Sequence, residues 1–219
     1  MSHARTSPTV SLLTDVALPE TKRRYWRVAP LYDLLDWPFE PLYRPGRALI
    51  GQLASERTVE LGAGTGKTFP YYRPAARVFA LDASWAMLAR ARGRLQLPIR
   101  ALVMGDVAHL PLRDACVDSV TATFVCCVQA DPRPALREIA RVLRPGGRAV
   151  FLEFVLPKHG VLRRLIRLLE PALRALYGVH WEHHLPGLLY EAGLNVIDVR
   201  PVSTPMIESI VAGKPPILR

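Results

Sequence analysis

The feature that most limits how this chain can fold is a short apolar strand that runs into closely spaced glycines, ELGAGTGKTF at residues 60–69. Its GTGKT run looks like the end of a phosphate-binding loop. Spacing excludes that. The phosphate loop is G-x-x-x-x-G-K-[ST], a length that lets backbone N–H groups wrap a phosphate. Counting back from Gly66-Lys67-Thr68, its first glycine falls at position 61, which is Leu61; the glycine is Gly62. Glu60 would also repel a phosphate at that place. The dinucleotide pattern G-x-G-x-x-G fails too, because Gly62, Gly64 and Gly66 are followed by Lys67. What remains, E-x-G-x-G-x-G after a strand, suits a ligand that has no pyrophosphate but carries an ammonium group for Glu60.

Strand and helix patterns alternate from there on. TVEL (58–61), RVFALD (77–82), IRALVMGD (99–106), DSVTATFVCCV (118–128), RAVFLEFV (148–155), NVIDVRPV (195–202) and MIESIVAG (206–213) read as strands. A helix is expected after the glycines. SWAMLARARGRLQ reads as a helix capped by Ser84, and DPRPALREIARVLRPGG as one stopped by Gly146-Gly147. VLRRLIRLLEPALRALY (161–177) is helical with a kink expected at Pro171, and LPGLLYEAGL is a short helix. Such repeats predict an α/β, Rossmann-like doubly wound sheet with helices on both faces. Residues 1–20 lack a period and are expected to be disordered. Residues 21–50 read as short helical pieces broken by Pro30, Pro38, Pro41 and Pro45, forming a lid. Residues 51–219 form the main domain, with an insert at 156–193.

In such a sheet the ligand lies at the carboxyl ends of the strands. Glu60, Gly62, Ala63 and Gly64 end the first strand. Asp82 ends the second, where a carboxylate can accept both hydroxyls of a ribose. Gly105, Asp106 and Val107 end the third, offering an acceptor and an N–H to an adenine. FVCCVQ ends the fourth. Each acid alone is an ordinary turn or cap residue. In order, they fit S-adenosylmethionine (SAM), which has an ammonium, a ribose and an adenine.

VELGAGTG, ALDASWAMLARAR, GDVAHLPL and ALREIARVLRPGGRAVFLEF resemble the successive motifs of the class I SAM-dependent methyltransferases, over roughly residues 56–155. The resemblance implies seven strands with the last antiparallel. It implies SAM as cofactor and S-adenosyl-L-homocysteine (SAH) as product. It also implies SAM contacts from Glu60, Gly62, Gly64, Asp82, Ala83, Met87, Asp106, Val107 and the strand end around Phe124, Val125 and Cys126, with Met87 against the adenine. GTGKTFPYY and TFVCCVQADPRPALREIARVLRPGG are similar to bacterial phosphatidylethanolamine N-methyltransferases and to thiol methyltransferase-like proteins of animals. RYWRVAPLYDLL (24–35) resembles the N-terminal stretch of the ubiquinone/menaquinone and phospholipid enzymes, which implies that Tyr25 and Tyr32 close over SAM. GVHWEHHLPGLLYEAGL matches none of these groups clearly.

The acceptor is read from what surrounds that core. His180 and His183, with Tyr25, are the candidate catalytic residues; a hydroxyl acceptor would need a base such as His180, His183 or Glu153, whereas an amine needs only to lose its proton. No metal site is expected, because H-E-x-x-H is absent and no cysteine lies near the histidines. Cys126-Cys127 reads as core packing, and three cysteines make no disulfide framework, which points to a reducing, cytoplasmic setting. The net charge of +10 suits an anionic partner, although only four of the 29 basic residues are lysine and an arginine bias of that kind can follow from codon composition alone. Arg163, Arg164, Arg167 and Arg174 beside leucines suggest a helix lying on the inner face of an anionic membrane. The amide-methylating N-P-P-Y motif is replaced by FVCCVQ, which argues against DNA-adenine and glutamine methylation, and the aromatic-interleaved basic motif of an RNA-binding module is lacking, so a nucleic-acid partner is not expected. The expectation is a monomer or small homo-oligomer that methylates a small molecule or lipid, first an amine of a phospholipid head group. The alternatives are O-, C- or S-methylation of a quinone, thiol or natural product, a nucleic-acid methyltransferase, and a non-enzymatic SAM-binding protein.

Overall fold

Every residue of the segment Thr58–Leu61 is buried, and so are the first six residues of Val117–Thr123. Strands buried on both faces belong at the centre of a parallel sheet. The computed structural model, which describes residues 9–12, 32–96 and 98–217, places them there. The strands are β1 (Thr9–Leu12), β2 (Arg57–Leu61), β3 (Arg77–Asp82), β4 (Ile99–Met104), β5 (Val117–Thr123), β6 (Leu143–Phe154), β7 (Asn195–Val202) and β8 (Thr204–Gly213). Their order is β1-β4-β3-β2-β5-β6-β8-β7. Strands β2 to β8 form the expected seven-stranded sheet. β8 runs antiparallel to both neighbours, β6 and β7. β1 adds an eighth strand, parallel to the edge strand β4. Thr9–Leu12 thus departs from the disorder expected over residues 1–20: its β-branched TVSL sequence takes up the unpaired backbone groups of the β4 edge.

Helices cover both faces. α1 (Glu40–Leu53) and α2 (Trp85–Ala91) place Tyr43, Ile50 and Leu88 against Val78, Ala80, Val150 and Leu152 on one face. α3 (Arg133–Val142) and α5 (Leu185–Glu191) place Leu136, Ile139 and Leu189 against Val59, Leu61 and Phe151 on the other. α4 (Val161–Tyr177) lies between β6 and α5 in the chain. Adjacent residues of β6 alternate between the two cores, as the two-residue period of a strand requires.

Several local expectations are corrected. α1 runs through Pro45 rather than stopping at it, because burial of Tyr43, Gly46, Arg47 and Ile50 outweighs one lost backbone hydrogen bond. The helix expected after the glycines is only a 3-10 turn, Phe69–Tyr71, since Pro70 and Pro74 leave no room to extend it. The fourth strand ends at Thr123, and Cys126–Val128 form another 3-10 turn. α3 ends at Val142, before Gly146. Lys214 Nζ donates to the carbonyls of Ala140 and Leu143, doing at this terminus what a glycine cap would have done. α4 continues through Pro171.

The glycine loop is held from behind. Gly51 of α1 packs so closely on the Phe69–Tyr71 turn that an added Cβ would lie 2.1 Å from the Tyr71 carbonyl oxygen. Gly51→Ala is therefore expected to destabilise the protein by about 2 kcal/mol or more, from overpacking against backbone that cannot swing aside. Chemical denaturation checks it.

Candidate functional site

The strand order reverses between β2 and β5, and a doubly wound sheet opens a crevice at that point. A cleft lies there, lined by the carboxyl ends of β2, β3, β4 and β5 and by Tyr32. Gly62 and Gly64 form its β2 side, both with positive φ (62° and 54°). A Cβ on Gly62 would lie 2.5 Å from Val125, whereas one on Gly64 would meet the Gly62 carbonyl oxygen at 3.9 Å, an ordinary contact. The turn thus presents bare backbone to the cleft.

Asp82 ties two elements together. Oδ2 accepts the Gly64 N–H at 2.8 Å and Oδ1 the Ser84 N–H at 2.8 Å, so one carboxylate fixes both the glycine turn and the start of α2. Burial pushes its pKa up, opposed by the N–H groups of Ser84, Gly64 and Ala83. With three backbone donors on about four lone-pair sites, the carboxylate keeps acceptor capacity for a ribose hydroxyl. Asp106 lines the cleft with Val107, and its Oδ1 accepts the Ala108 N–H. Ala83, Met87, Phe124 and Val125 also line it. Met87 is also a core residue, 2% exposed.

Other expected contacts fall elsewhere. Tyr25 lies outside the described residues. Ala63 and Gly105 brace the walls without lining them: Ala63 N–H donates to Leu81 O and Gly105 N–H to Asp82 O. Glu60 points into the protein behind the turn. Burial raises its pKa to about 7, against the pull of the Tyr72 and Thr68 hydroxyls and the Arg47 charge. Its Oε2 is buried with no hydrogen-bond partner.

Glu153 is not a base for the cleft. Its carboxylate is buried and accepts three backbone N–H groups, from Val125 at 3.1 Å, Cys126 at 2.9 Å and Cys127 at 3.0 Å. Burial still leaves its pKa raised. This clamp holds the loop that follows β5, where Phe124 adopts a positive φ of 55°. The three histidines have separate tasks, and neither candidate base lines the cleft. His180 is buried, its N–H bonded to Cys127 O, and burial followed by the charges of Arg174 and His183 lowers its pKa. His183 Nε2 donates to the Gln129 carbonyl at 2.9 Å. His184 Nδ1 caps α5 by accepting the Gly187 N–H. Sequence reasoning missed Ser84, Thr123, Val128 and Gln129 as lining residues, although the motif FVCCVQ contained two of them. Beside the cleft, Phe124 stacks on Phe154 at 4.3 Å, and Tyr43 and Trp181 pack on that pair.

The arrangement can hold a molecule with an adenosyl group: vicinal hydroxyls at Asp82, a base at Asp106 and Val107, and a cationic tail against backbone at Gly62–Gly64, with the unmet Glu60 acceptor behind. Known proteins agree. A methyltransferase-domain family matches residues 59–151. The phosphatidylethanolamine N-methyltransferase of Cereibacter sphaeroides is 30% identical over 67% of this chain and 74% of its own length. This chain belongs to the class I SAM-dependent methyltransferases. Another relative in the family, the demethylmenaquinone methyltransferase of Mycolicibacterium paratuberculosis, is 33% identical over 75% of this chain, which spans only 62% of that protein. A SAM-dependent methyltransferase structure from Thermotoga maritima superposes with a TM-score of 0.69 at 20% identity, covering 88% of this chain and 99% of that one. At that identity the likeness concerns the fold.

For a methyltransferase of this construction, calorimetry is expected to detect SAM binding and no ATP–Mg²⁺ binding. Asp82→Ala is expected to weaken SAM by about 2 kcal/mol, roughly 30-fold, by leaving hydroxyls and two backbone N–H groups unpaired. Glu60 gives a pH signature. Its folded pKa of about 7 lies above the ordinary 4.5, so the folded state holds the proton more tightly, and stability is lost as pH rises from about 5 to 7. Glu60→Gln is expected to flatten that decline in the ligand-free protein, measured by thermal melting across pH 5–8.

Proposed function

We propose that this methyltransferase transfers the methyl group of SAM to an acceptor carried by a lipid, at a membrane surface. The observation that carries the lipid reading is the outer face of α4. Val161, Leu162, Leu165, Leu168 and Leu169 recur at one-face helical spacing and are 79, 39, 48, 77 and 43% exposed, while among the described side chains of the helix only Ile166 is a buried large apolar residue. An ordinary surface helix turns its leucines inward and its arginines out. Here leucines face outward with Arg164 and Arg167, as on a helix that rests in a lipid interface. No described helix is long and apolar enough to cross a membrane, so the contact would be peripheral.

SAM, when bound, supplies an electrophilic methyl group, so the protein needs mainly to align the acceptor and exclude water. Asp82, Asp106, Val107 and the glycine turn would orient the cofactor, and Tyr32 would cover it. The aromatic cluster Tyr43–Phe124–Phe154–Trp181 would form an apolar wall for the acceptor. The carboxylates nearest Tyr43, Asp36 and Glu40, are already paired with Lys67 and Arg47. A flat hydroxylated ring, as in a quinol, therefore fits this wall better than an ammonium head group. The phospholipid amine is the second reading, favoured by the Cereibacter sphaeroides relative, of which this chain spans 74%.

The purified protein is expected to float with anionic vesicles at low salt and to be released as salt rises. Leu165→Ser with Leu168→Ser is expected to abolish flotation while leaving SAM affinity unchanged, because both side chains are exposed. Transfer of labelled methyl groups from SAM into a total lipid extract separates the acceptors. Label in the quinol fraction supports the lead, label in phospholipid the second reading, and label only in soluble amines, thiols or phenols overturns both.

A further inference from the structure

The lysine that imitates a phosphate loop has a different task in the fold. Lys67 Nζ lies 2.5 Å from Asp36 Oδ2, 3.4 Å from Glu40 Oε2 and 3.8 Å from Asp33 Oδ1, with only 13% of its side chain exposed. It also stands over the Tyr32 ring, 5.8 Å from the centroid. These partners belong to the segment that carries Tyr32 to the cleft and leads into α1; residues 32–36 are helical. A second arm runs in parallel. Arg94 pairs with Asp33 Oδ2 at 2.7 Å and donates to the Thr65 carbonyl at 2.6 Å, while Thr65 Oγ1 donates to Asp33 Oδ1 at 2.7 Å. Arg47 closes the cluster with Glu40 at 3.2 Å and Thr68 at 3.2 Å. Three carboxylates thus meet three cations. Burial would raise the Asp33 pKa, but the hydrogen bonds from Arg94 and Thr65 and the charges of Arg94 and Lys67 override it and hold the group ionised.

We infer that Lys67 and Arg94 form an ionic latch that fixes Tyr32 over the cofactor cleft, with Lys67 a positioning residue for the lid. The inference rests on the SAM-site reading and goes beyond it, because none of Lys67, Arg94, Asp33 and Asp36 lines the cleft. Thr65 and Lys67 leave the same loop as Gly62 and Gly64, so the turn that presents backbone to the ligand also anchors the lid. Ligand seated on the turn and lid closed over it then stabilise the same loop geometry, which couples binding to closure. Removing Lys67 leaves three partly buried carboxylates facing two cations, and that surplus of negative charge pushes the segment away.

The test compares wild type, Lys67→Met and Asp33→Asn by hydrogen exchange over residues 32–40 and by calorimetry with SAH. In the ligand-free protein, each variant is expected to exchange at least tenfold faster over 32–40, while β2 and β5 stay protected. SAH affinity is expected to fall roughly tenfold in each. The double variant is expected to lose little more than either single one, because both break one cluster. Lys67→Arg, which keeps the charge, is expected to restore most of the protection. Folded Lys67→Met and Asp33→Asn proteins with wild-type exchange over 32–40 and unchanged SAH affinity would overturn the latch. The exchange measurement needs no ligand, so it decides the latch even if wild type failed to bind SAH, a result that would instead overturn the cofactor reading.

Discussion

Two buried carboxylates hold the mouth of this sheet in shape. A parallel strand buried on both faces must end in a loop whose N–H groups have lost their ladder partners and are still screened from water. After β2 and β3, Asp82 takes the N–H groups of Gly64 and Ser84. After β5, Glu153 takes those of Val125, Cys126 and Cys127. Burial raises the pKa of both acids, which is the cost of placing an anion there. The cost is offset by five backbone bonds, each strengthened because the acceptor is charged. The cleft follows from this arrangement: its β2 side is the turn that Asp82 fixes, and its β5 side is the loop that Glu153 fixes.

Legibility in the sequence follows the same division. Strands were legible because a sheet buried on both faces demands nearly continuous apolar runs, and β3, β7 and β8 begin and end close to where the pattern puts them. Asp82 and Asp106 line the cleft because the carboxyl ends of the strands frame the crevice of a doubly wound sheet. Glu60 ends a strand as well, yet its carboxyl turns back toward Thr68, Tyr72 and Arg47. Spacing fixes the Cα position; only packing against α1 decides the rotamer. Glu153 was read as a base for the same reason, since nothing local says that three amides from a loop far back in the sequence converge on it. Pro45 and the Thr9–Leu12 strand were misread because tertiary burial and an open sheet edge outweighed local preference.

The histidine cluster shows the limit most plainly. HWEHH is only partly one group: the His180 and His183 rings stack at 5.2 Å, but the His180 backbone N–H, the His183 ring and the His184 ring bond separately to Cys127, Gln129 and Gly187. Because a carbonyl only accepts, the bond to Gln129 requires the proton of His183 on Nε2. The insert is therefore pinned to the β5 loop from outside at two adjacent places. That loop is clamped from inside by Glu153. Movement of the insert would be transmitted to Val128 and Gln129, which line the cleft, sooner than to the cofactor end at Asp82.

This asymmetry bears on how a lipid acceptor would reach the site. The cofactor end is held by Asp82 and by the charged cluster around Lys67, both partly buried and little affected by a membrane nearby. The other end is bounded by Phe124, Val125, Val128 and Gln129 of the loop after β5. Each half-exposed leucine on α4 leaves roughly 1 kcal/mol of apolar transfer free energy unrealised in water, and the five apolar residues together make contact with lipid favourable. Arginines near an anionic surface add about 1 kcal/mol each. Of the four on α4, Arg163 donates to the Pro157 carbonyl, and Arg174, though exposed, pairs with Glu182; Arg164 and Arg167 are exposed as well. The leucines therefore outweigh the arginines in such a contact. Under the proposed lipid reading, α4 would seat in the interface through these leucines, and an apolar acceptor would be drawn from that same interface.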